Sequence, residues 1–549
     1  MKTAVIDLPW LAPPPEDFKA RCDELGGGAP CGGRLRSLAG HALNLNQMTR
    51  LHKAMGRIED FSPLTPLRLA TLSNGTADFT TAAISASALR HGIAVDVVDV
   101  PFGMVAQQAF DVNSDLYSGK PEVVLLALDH RGLPLGESAD EALAHVEAVC
   151  QAITETCGAL VIVQTLAAVP EPLFGNFDSL YEASIKARIE AFNAGLVRMV
   201  RNGPQVLLDT AAIAATVGLD KWHDPVQWYL AKLSFGQTCL PLYADYVGRL
   251  LGAIKGKSRR CLILDLDNTL WGGVIGDDGL DGIVLGQGDP AGEAFLAVQR
   301  MALSLRDRGI MLAVCSKNTD ETARRPFREH PEMLLKEEHI TVFQANWEDK
   351  ASNIEAIAAE LNIGIDSLAF LDDNPAERAQ VRAALPDVAV PELPSDPALY
   401  PRILAAAGYF DAVAFSQEDR DRVAQYQANA KRLKVKSKAR DLGDYLGSLN
   451  MVLTVKPFDS IARPRITQLI NKSNQFNLTT RRYTESQVAA FETDANVRTF
   501  QARLEDTFGD NGIISIVMCH AGGDAWEIDT WLMSCRVLGR RVEEALLNT

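Results

Sequence analysis

Two aspartates two residues apart, Asp265 and Asp267, close the segment Leu262-Ile263-Leu264-Asp265-Leu266-Asp267-Asn268-Thr269, directly after an apolar run that reads as a buried strand. Carboxylates at this spacing emerge close together at a strand end. One can attack a phosphorus atom while the other manages the proton of the leaving group, so the pair suits phosphoryl chemistry. Taken alone the pattern is weak, because acidic residues at strand ends commonly serve as solvated turn residues. The residues farther along the chain strengthen it. The strand Met311-Leu312-Ala313-Val314-Cys315 runs into Ser316-Lys317-Asn318, which puts a hydroxyl and backbone N–H groups where a phosphate can be held, with Ser316 and Asn318 as candidate contacts. Lys350 comes next, after Trp347-Glu348-Asp349, and a third strand, Ser367-Leu368-Ala369-Phe370-Leu371, delivers Asp372-Asp373-Asn374-Pro375. A phosphate ester carries about two negative charges, so a carboxylate nucleophile approaches it only beside cations, and Lys350 supplies one.

Asp/Asp, Ser, Lys and Asp/Asp in this order at strand ends resemble the four-motif signature of the haloacid dehalogenase (HAD) superfamily. The resemblance implies that Asp265 is the nucleophile that forms an aspartyl-phosphate and that Asp267 is the general acid and then the base. Thr269 and Ser316 would hydrogen-bond the site or the phosphoryl oxygens. The second cation is expected to be Mg²⁺, a hard ion held by oxygens: Asp265, the backbone carbonyl of Asp267, and Asp372, with Asp373 on the metal or on its water shell.

Within that superfamily the chain resembles the FkbH family (HAD subfamily IIIC). The resemblance rests on Trp271-Gly272-Gly273-Val274-Ile275-Gly276-Asp277-Asp278-Gly279, Cys315-Ser316-Lys317-Asn318 and Leu371-Asp372-Asp373-Asn374-Pro375-Ala376-Glu377-Arg378. Farther on, Asn474-Gln475-Phe476-Asn477-Leu478-Thr479-Thr480-Arg481-Arg482 and Phe508-Gly509-Asp510-Asn511-Gly512 extend it, from about residue 205 to the end. It implies an enzyme of polyketide biosynthesis that takes a glyceryl unit from 1,3-bisphosphoglycerate, removes phosphate, and loads the unit onto an acyl carrier protein. Two other readings stay open: a plain HAD phosphatase acting on a small phosphorylated metabolite, and a non-catalytic scaffold of a biosynthetic complex.

The elements that must position these residues read as α/β throughout. Apolar runs at 68–72, 94–98, 123–128, 160–163 and 206–208 alternate with helical stretches at 138–156 and 180–201, the pattern of a parallel sheet covered on both faces. This gives an N-terminal extension (1–60) with a loosely structured start marked by Pro13-Pro14-Pro15 and the glycines from Gly26 to Gly33, and then a flavodoxin/SGNH-like α/β domain (61–255). Next come a HAD-type Rossmannoid domain (256–400), a helical basic linker (401–440) and a partial GNAT-like α+β domain (441–549). The first domain faintly resembles SGNH hydrolases, with Ser73 at the nucleophile's place and Asp220-Lys221-Trp222-His223 as the Asp-x-x-His element. The oxyanion element is missing near Leu128-Asp129-His130-Arg131, which favours a degenerate domain that serves packing or partner binding. Gly256-Lys257-Ser258 ends like a phosphate loop but lacks the upstream glycine and precedes a strand, so it reads as a basic turn.

Between the first two motifs there is room for a flap (271–286) and one helix (292–308), and for no large cap; an uncapped site suits a substrate tethered to a protein. In the last domain, Arg536-Val537-Leu538-Gly539-Arg540-Arg541 is expected to open a helix whose N-terminus binds a pyrophosphate, with the chain stopping inside that helix at Thr549. Cys535, at the strand end beside this turn, is the first candidate for carrying a thioester, and Cys315 the second; the competing reading of each is a small core residue.

A formal charge of −16 excludes nucleic acid as a natural partner. The run 431–440 places six cations in ten residues and reads either as a docking patch for an acidic carrier or as a solvated helix face. Nine cysteines without CxxC pairs suggest free thiols, and no apolar run is long enough to cross a bilayer, so a cytoplasmic protein without membrane contact is expected.

Overall fold

The computed structural model describes residues 4–26, 30–415, 428, 432, 441–472, 477, 479, 481, 483–522, 525–534 and 537–548. Strands β1 (Thr65–Ser73), β2 (Ile93–Val98), β3 (Val123–Ala127), β4 (Leu160–Gln164) and β5 (Val206–Leu208) form one sheet in the order β2-β1-β3-β4-β5, parallel throughout. Burial on both faces explains why these strands are short and almost wholly apolar. Alternate residues serve opposite cores: Leu67, Leu69, Val123 and Leu125 face one, and Ala70, Leu72, Val124 and Leu126 the other. Helix Ala139–Cys157 covers the second face; it starts on Ser138, whose hydroxyl accepts from the Glu141 amide at 3.0 Å, and stops at Gly158, which supplies a left-handed φ of 70°.

A second parallel sheet, β6 (Cys261–Leu264), β7 (Met311–Ser316), β8 (Val342–Ala345) and β9 (Leu368–Leu371), runs in the order β8-β7-β6-β9. Leu264 pairs with both Val314 and Leu371, and the Asp265 amide donates to the Leu371 carbonyl at 2.9 Å. The segments leaving β6 and β9 therefore start side by side. Leu262, Leu264, Leu312 and Val314 share one continuous core with a face of the first sheet, so no loose linker lies at residue 255.

The N-terminal stretch departs from expectation. In place of a loosely structured start it forms helices Phe18–Asp23, Gly32–Ala39 and Leu45–Met55, which bury Cys22, Leu35, Met48 and Leu51 in that same core. Met48, Leu51, Ala54 and Met55 recur at helical spacing, and Asn44 and Gln47 make a reciprocal capping box; Gly32 and Gly33 lie inside the second of these helices. Trp10 is 1% exposed and its carbonyl accepts from the Glu392 amide at 2.9 Å, tying this segment to the second sheet.

The C-terminal unit is antiparallel: β10 (Val452–Lys456), β11 (Val497–Asp506), β12 (Gly509–Gly522) and β13 (Ala525–Met533) lie in sequence order, with helices Arg463–Lys472 and Glu485–Phe491 between β10 and β11. The turn expected to open a helix does so, and the helix is short. Residues 537–540 turn, and a short helix, Val542–Leu547, begins only after Arg541, whose φ of 61° breaks the helical path. Cys535, Arg536, Asn474 to Phe476 and all of the basic run except Arg432 lie outside the described residues. Among the described residues no helix is long and apolar enough to cross a membrane.

Because Trp10 fills the core shared by both parallel sheets, Trp10→Ala should cost about 3–5 kcal/mol. Urea denaturation followed by tryptophan-independent circular dichroism checks this; an unchanged midpoint would mean that the N-terminal segment packs without contributing to stability.

Candidate active site

The loops that leave β6 and β9 bring Asp265, Asp372 and Asp373 together, with one carboxylate oxygen of each lying within 4.8 Å of the others. Lys350 opens helix Lys350–Leu361, which starts on Asp349, whose carboxylate accepts from the Ser352 amide at 3.0 Å. This start aims the Lys350 ammonium between Asp265, at 2.9 Å, and Asp372, which it contacts directly. Asp265, Asp372 and Lys350 are all buried. Burial pushes the Asp265 carboxyl up to about 7, with Lys350 pulling it down and Asp372 pushing it up. Burial and then Asp372 likewise hold the Asp373 carboxyl above its ordinary range. For Lys350 burial works toward neutrality, but the Asp265 and Asp372 carboxylates outweigh it and raise the ammonium above its usual value.

Three carboxylates facing one ammonium leave an excess of negative charge in a buried site. Hard oxygen donors that converge in this way fit a divalent cation such as Mg²⁺.

Asp267 stands slightly apart from this cluster. Its carboxylate accepts from the Trp271 indole and the Ile275 amide, each at 3.0 Å, and from the Asn318 amide group at 2.8 Å, and it lies outside the carboxylate cluster, which is consistent with its backbone carbonyl serving as the metal donor. Asn318 also reaches the Ser316 hydroxyl at 3.4 Å; its amide group is spent on Asp267 and Ser316 and positions them. Thr269, fully buried, accepts from the Asp373 amide at 3.2 Å and thereby ties the first motif to the fourth. The sequence pattern did not single out Arg378. Its guanidinium donates to the carbonyls of Asp372, at 2.9 Å, and Asp373, at 2.7 Å, and is anchored by Glu392 at 2.8 Å. An arginine one turn into the helix that follows the acidic loop was the available signal.

Cys315 is buried with its sulfur 3.8 Å from the Lys350 carbonyl, and burial pushes its thiol up to about 12, so it stays protonated as a core residue. Ser73 accepts from the Gly75 amide at 3.1 Å, and His223 Nε2 lies 2.7 Å from the Ala168 carbonyl; no hydrogen bond joins Ser73 to His223. Asp129 stands where an oxyanion donor would be needed, accepts from Asn74 at 2.8 Å and pairs with Arg131 at 2.6 Å. A carboxylate there repels an oxyanion. The first domain thus lacks an assembled hydrolase site.

A parallel four-stranded sheet that gathers these acids and a lysine at its strand ends defines a HAD-type domain built for phosphoryl chemistry. A family model described as FkbH, N-terminal domain, matches residues 68–251, the first α/β domain. The N-terminal part of the protein BF1531 from Bacteroides fragilis, which contains a phosphatase domain and was crystallised with Mg, is 32% identical with a TM-score of 0.63; the match covers 68% of this chain and 100% of that one. The chain belongs to the FkbH family. A structure described as a GCN5-related glucosamine N-acetyltransferase region in a fungal multi-domain GH3 β-N-acetylglucosaminidase aligns at 12% identity and a TM-score of 0.15, over 97% of this chain and 63% of that one, too low to bear on fold. No curated protein matches. The family match falls on the domain whose sequence showed the fainter resemblance.

Removing the lysine should expose the charge imbalance. In EDTA at pH 8, Lys350→Met should lose about 3–5 kcal/mol of stability, because it leaves buried carboxylates without their counter-charge. A carboxyl whose folded value lies above its unfolded one binds its proton more tightly when folded, so the deficit should shrink as pH falls and grow as pH rises. Urea melts across pH 5.5–8.5 check both the size and the sign.

Proposed function

We propose that this protein is a Mg²⁺-dependent HAD-type phosphatase that removes phosphate from 1,3-bisphosphoglycerate and loads the glyceryl unit onto an acyl carrier protein in polyketide biosynthesis. The observation that carries the phosphatase reading is the buried cluster of Asp265, Asp372 and Asp373 around Lys350. The Mg-bound phosphatase domain of the B. fragilis protein supports the choice of ion. The glyceryl substrate and the carrier rest on family resemblance.

Asp265, Asp372, Asp373 and the Asp267 carbonyl would hold Mg²⁺, which when bound supplies positive charge against the phosphoryl oxygens. Asp265 then attacks phosphorus and forms an aspartyl-phosphate, while Lys350 offsets the charge gathering on the transferred group. Asp267 donates a proton to the departing oxygen and afterwards takes one from the water that hydrolyses the aspartyl-phosphate. The Trp271, Ile275 and Asn318 donors hold that carboxylate in place for both transfers. Arg378 keeps the carbonyls of Asp372 and Asp373 fixed, so their carboxylates face inward without side-chain adjustment.

The approach to the site favours a tethered substrate. Between the first and second motifs the chain makes a small flap, with the short helix Ile275–Asp278 and a Gly272–Val284 bridge, and then helix Pro290–Asp307. Both are small elements, which supports a site without a large cap and so a substrate tethered to a carrier protein. With Cys315 held protonated in the core, a thioester on the enzyme would fall to Cys535.

Incubation with 1,3-bisphosphoglycerate, Mg²⁺ and a panel of carrier proteins, read by intact-protein mass, should add a glyceryl mass to one carrier. Phosphate release without any transfer would leave a phosphatase of small metabolites instead. Asp265→Asn should reduce phosphate release by about three orders of magnitude or more while preserving the circular dichroism spectrum. EDTA should abolish release and Mg²⁺ restore it; turnover that survives either change removes the assignment.

A further inference from the structure

At the opposite end of β6 from the catalytic aspartates, the N-terminal helices and the two parallel-sheet domains meet around a cavity of about 320 Å³. In a chain of net charge −16, seven Arg and Lys side chains line this cavity, and among the described residues no Asp or Glu does. The cations come from all three parts of the chain: Arg21 and Arg36 from the N-terminal helices, Arg90 and Arg249 from the first domain, and Lys257, Arg259 and Arg382 from the second.

Several of these charges are balanced from behind. Arg90 pairs with the buried Asp245 at 2.8 Å, Arg249 with Asp411 at 3.2 Å, Arg21 with Asp17 at 2.8 Å, Arg382 with Glu392 at 2.5 Å, and Arg36 with Asp387. Lys257 and Arg259 are not. Neither forms a salt bridge to a carboxylate among the described residues, and Arg259 donates only to the backbone carbonyl of Asp366. Burial, followed by the nearby positive charge of Arg36, brings the Arg259 guanidinium down to about 10. The cavity is thus lined by cations whose carboxylate partners stand behind them, with Lys257 and Arg259 outside any salt bridge among the described residues and Arg259 offset through the nearby Asp366 and Asp387 carboxylates. Gly408, at a φ of +62°, belongs to its design, since a Cβ there would collide with the Arg249 guanidinium. Leu11, Val388 and Tyr409 add an apolar wall.

We infer that this cavity binds a small phosphorylated organic molecule carrying at least two negative charges, at a site separate from the catalytic one. Arg259 and Asp265 are six residues apart along an extended strand, so the two sites lie on the order of 20 Å apart, beyond the span of a three-carbon substrate. The volume is within the range of small-molecule pockets, roughly 300–1,000 Å³. Guanidinium forks suit phosphate oxygens, and a bound dianion would supply counter-charge to Lys257 and Arg259. Since the walls belong to three parts of the chain, such a ligand also clamps them together.

The test uses the full chain in EDTA at constant ionic strength, with inorganic pyrophosphate and ADP as probes in titration calorimetry and thermal unfolding. Saturable binding with a raised unfolding midpoint is expected for at least one probe. Tighter binding of ADP assigns a nucleotide; equal or tighter binding of pyrophosphate assigns a non-nucleotide phosphate. Lys257→Met, at a half-buried position that a neutral side chain can occupy, should weaken that binding at least tenfold and keep wild-type phosphate release, and Lys257→Glu should abolish it. Asp265→Asn should leave it unchanged. The inference fails if neither probe binds at millimolar concentration, if Lys257→Met binds like wild type, or if Asp265→Asn removes the binding.

Discussion

Lys350 sits between two buried carboxylates, and the architecture of the second domain follows from the need to place it there. Charges in a weakly polarisable interior interact far more strongly than in water, and an unmatched one is costly. One ammonium against Asp265, Asp372 and Asp373 is not enough, which makes the site a sink for a further cation and for the phosphate that accompanies it. The parallel sheet makes this possible, because flush strand ends and helix starts deliver acids and lysine to one spot.

The site is held in place by groups that do no chemistry. Arg378 binds the carbonyls of the fourth motif and Glu392 holds Arg378; Trp271 and Asn318 fix Asp267; Thr269 joins the first motif to the fourth. Each is a polar contact satisfied inside the protein, so movement of any one loop would strand the partners on another. The two ends of β6 carry opposite charge: carboxylates where the strand finishes and guanidinium and ammonium groups where it starts.

The first α/β domain contributes a surface of the shared core without contributing a hydrolase site. Its Ser73 ends β1 and accepts from the Gly75 amide, and Asp129 occupies the place of a hydrogen-bond donor. One face of its sheet, the N-terminal helices and one face of the catalytic sheet are packed as one body, so the catalytic loops are braced from beneath by residues far away in sequence.

The sequence by itself determined the catalytic strands, their order of motifs and the acids and lysine at their ends, because apolar runs with chemistry at one end are local patterns. The first parallel sheet and three strands of the second were readable for the same reason, and the four C-terminal strands nearly so, while the edge strand β8 was not singled out. Only the tertiary structure decided the rest. The N-terminal helices were hidden by Pro and Gly clusters, which read as turns although Gly32 and Gly33 lie inside a helix. The bracing of Asp267 and Asp372, the inert burial of Cys315 and the basic cavity between Arg36 and Tyr409 depend on which faces meet when distant segments pack. Spacing along a chain fixes neighbours within a strand or helix; which buried charges share a low-dielectric space is set by the folding of whole sheets against each other.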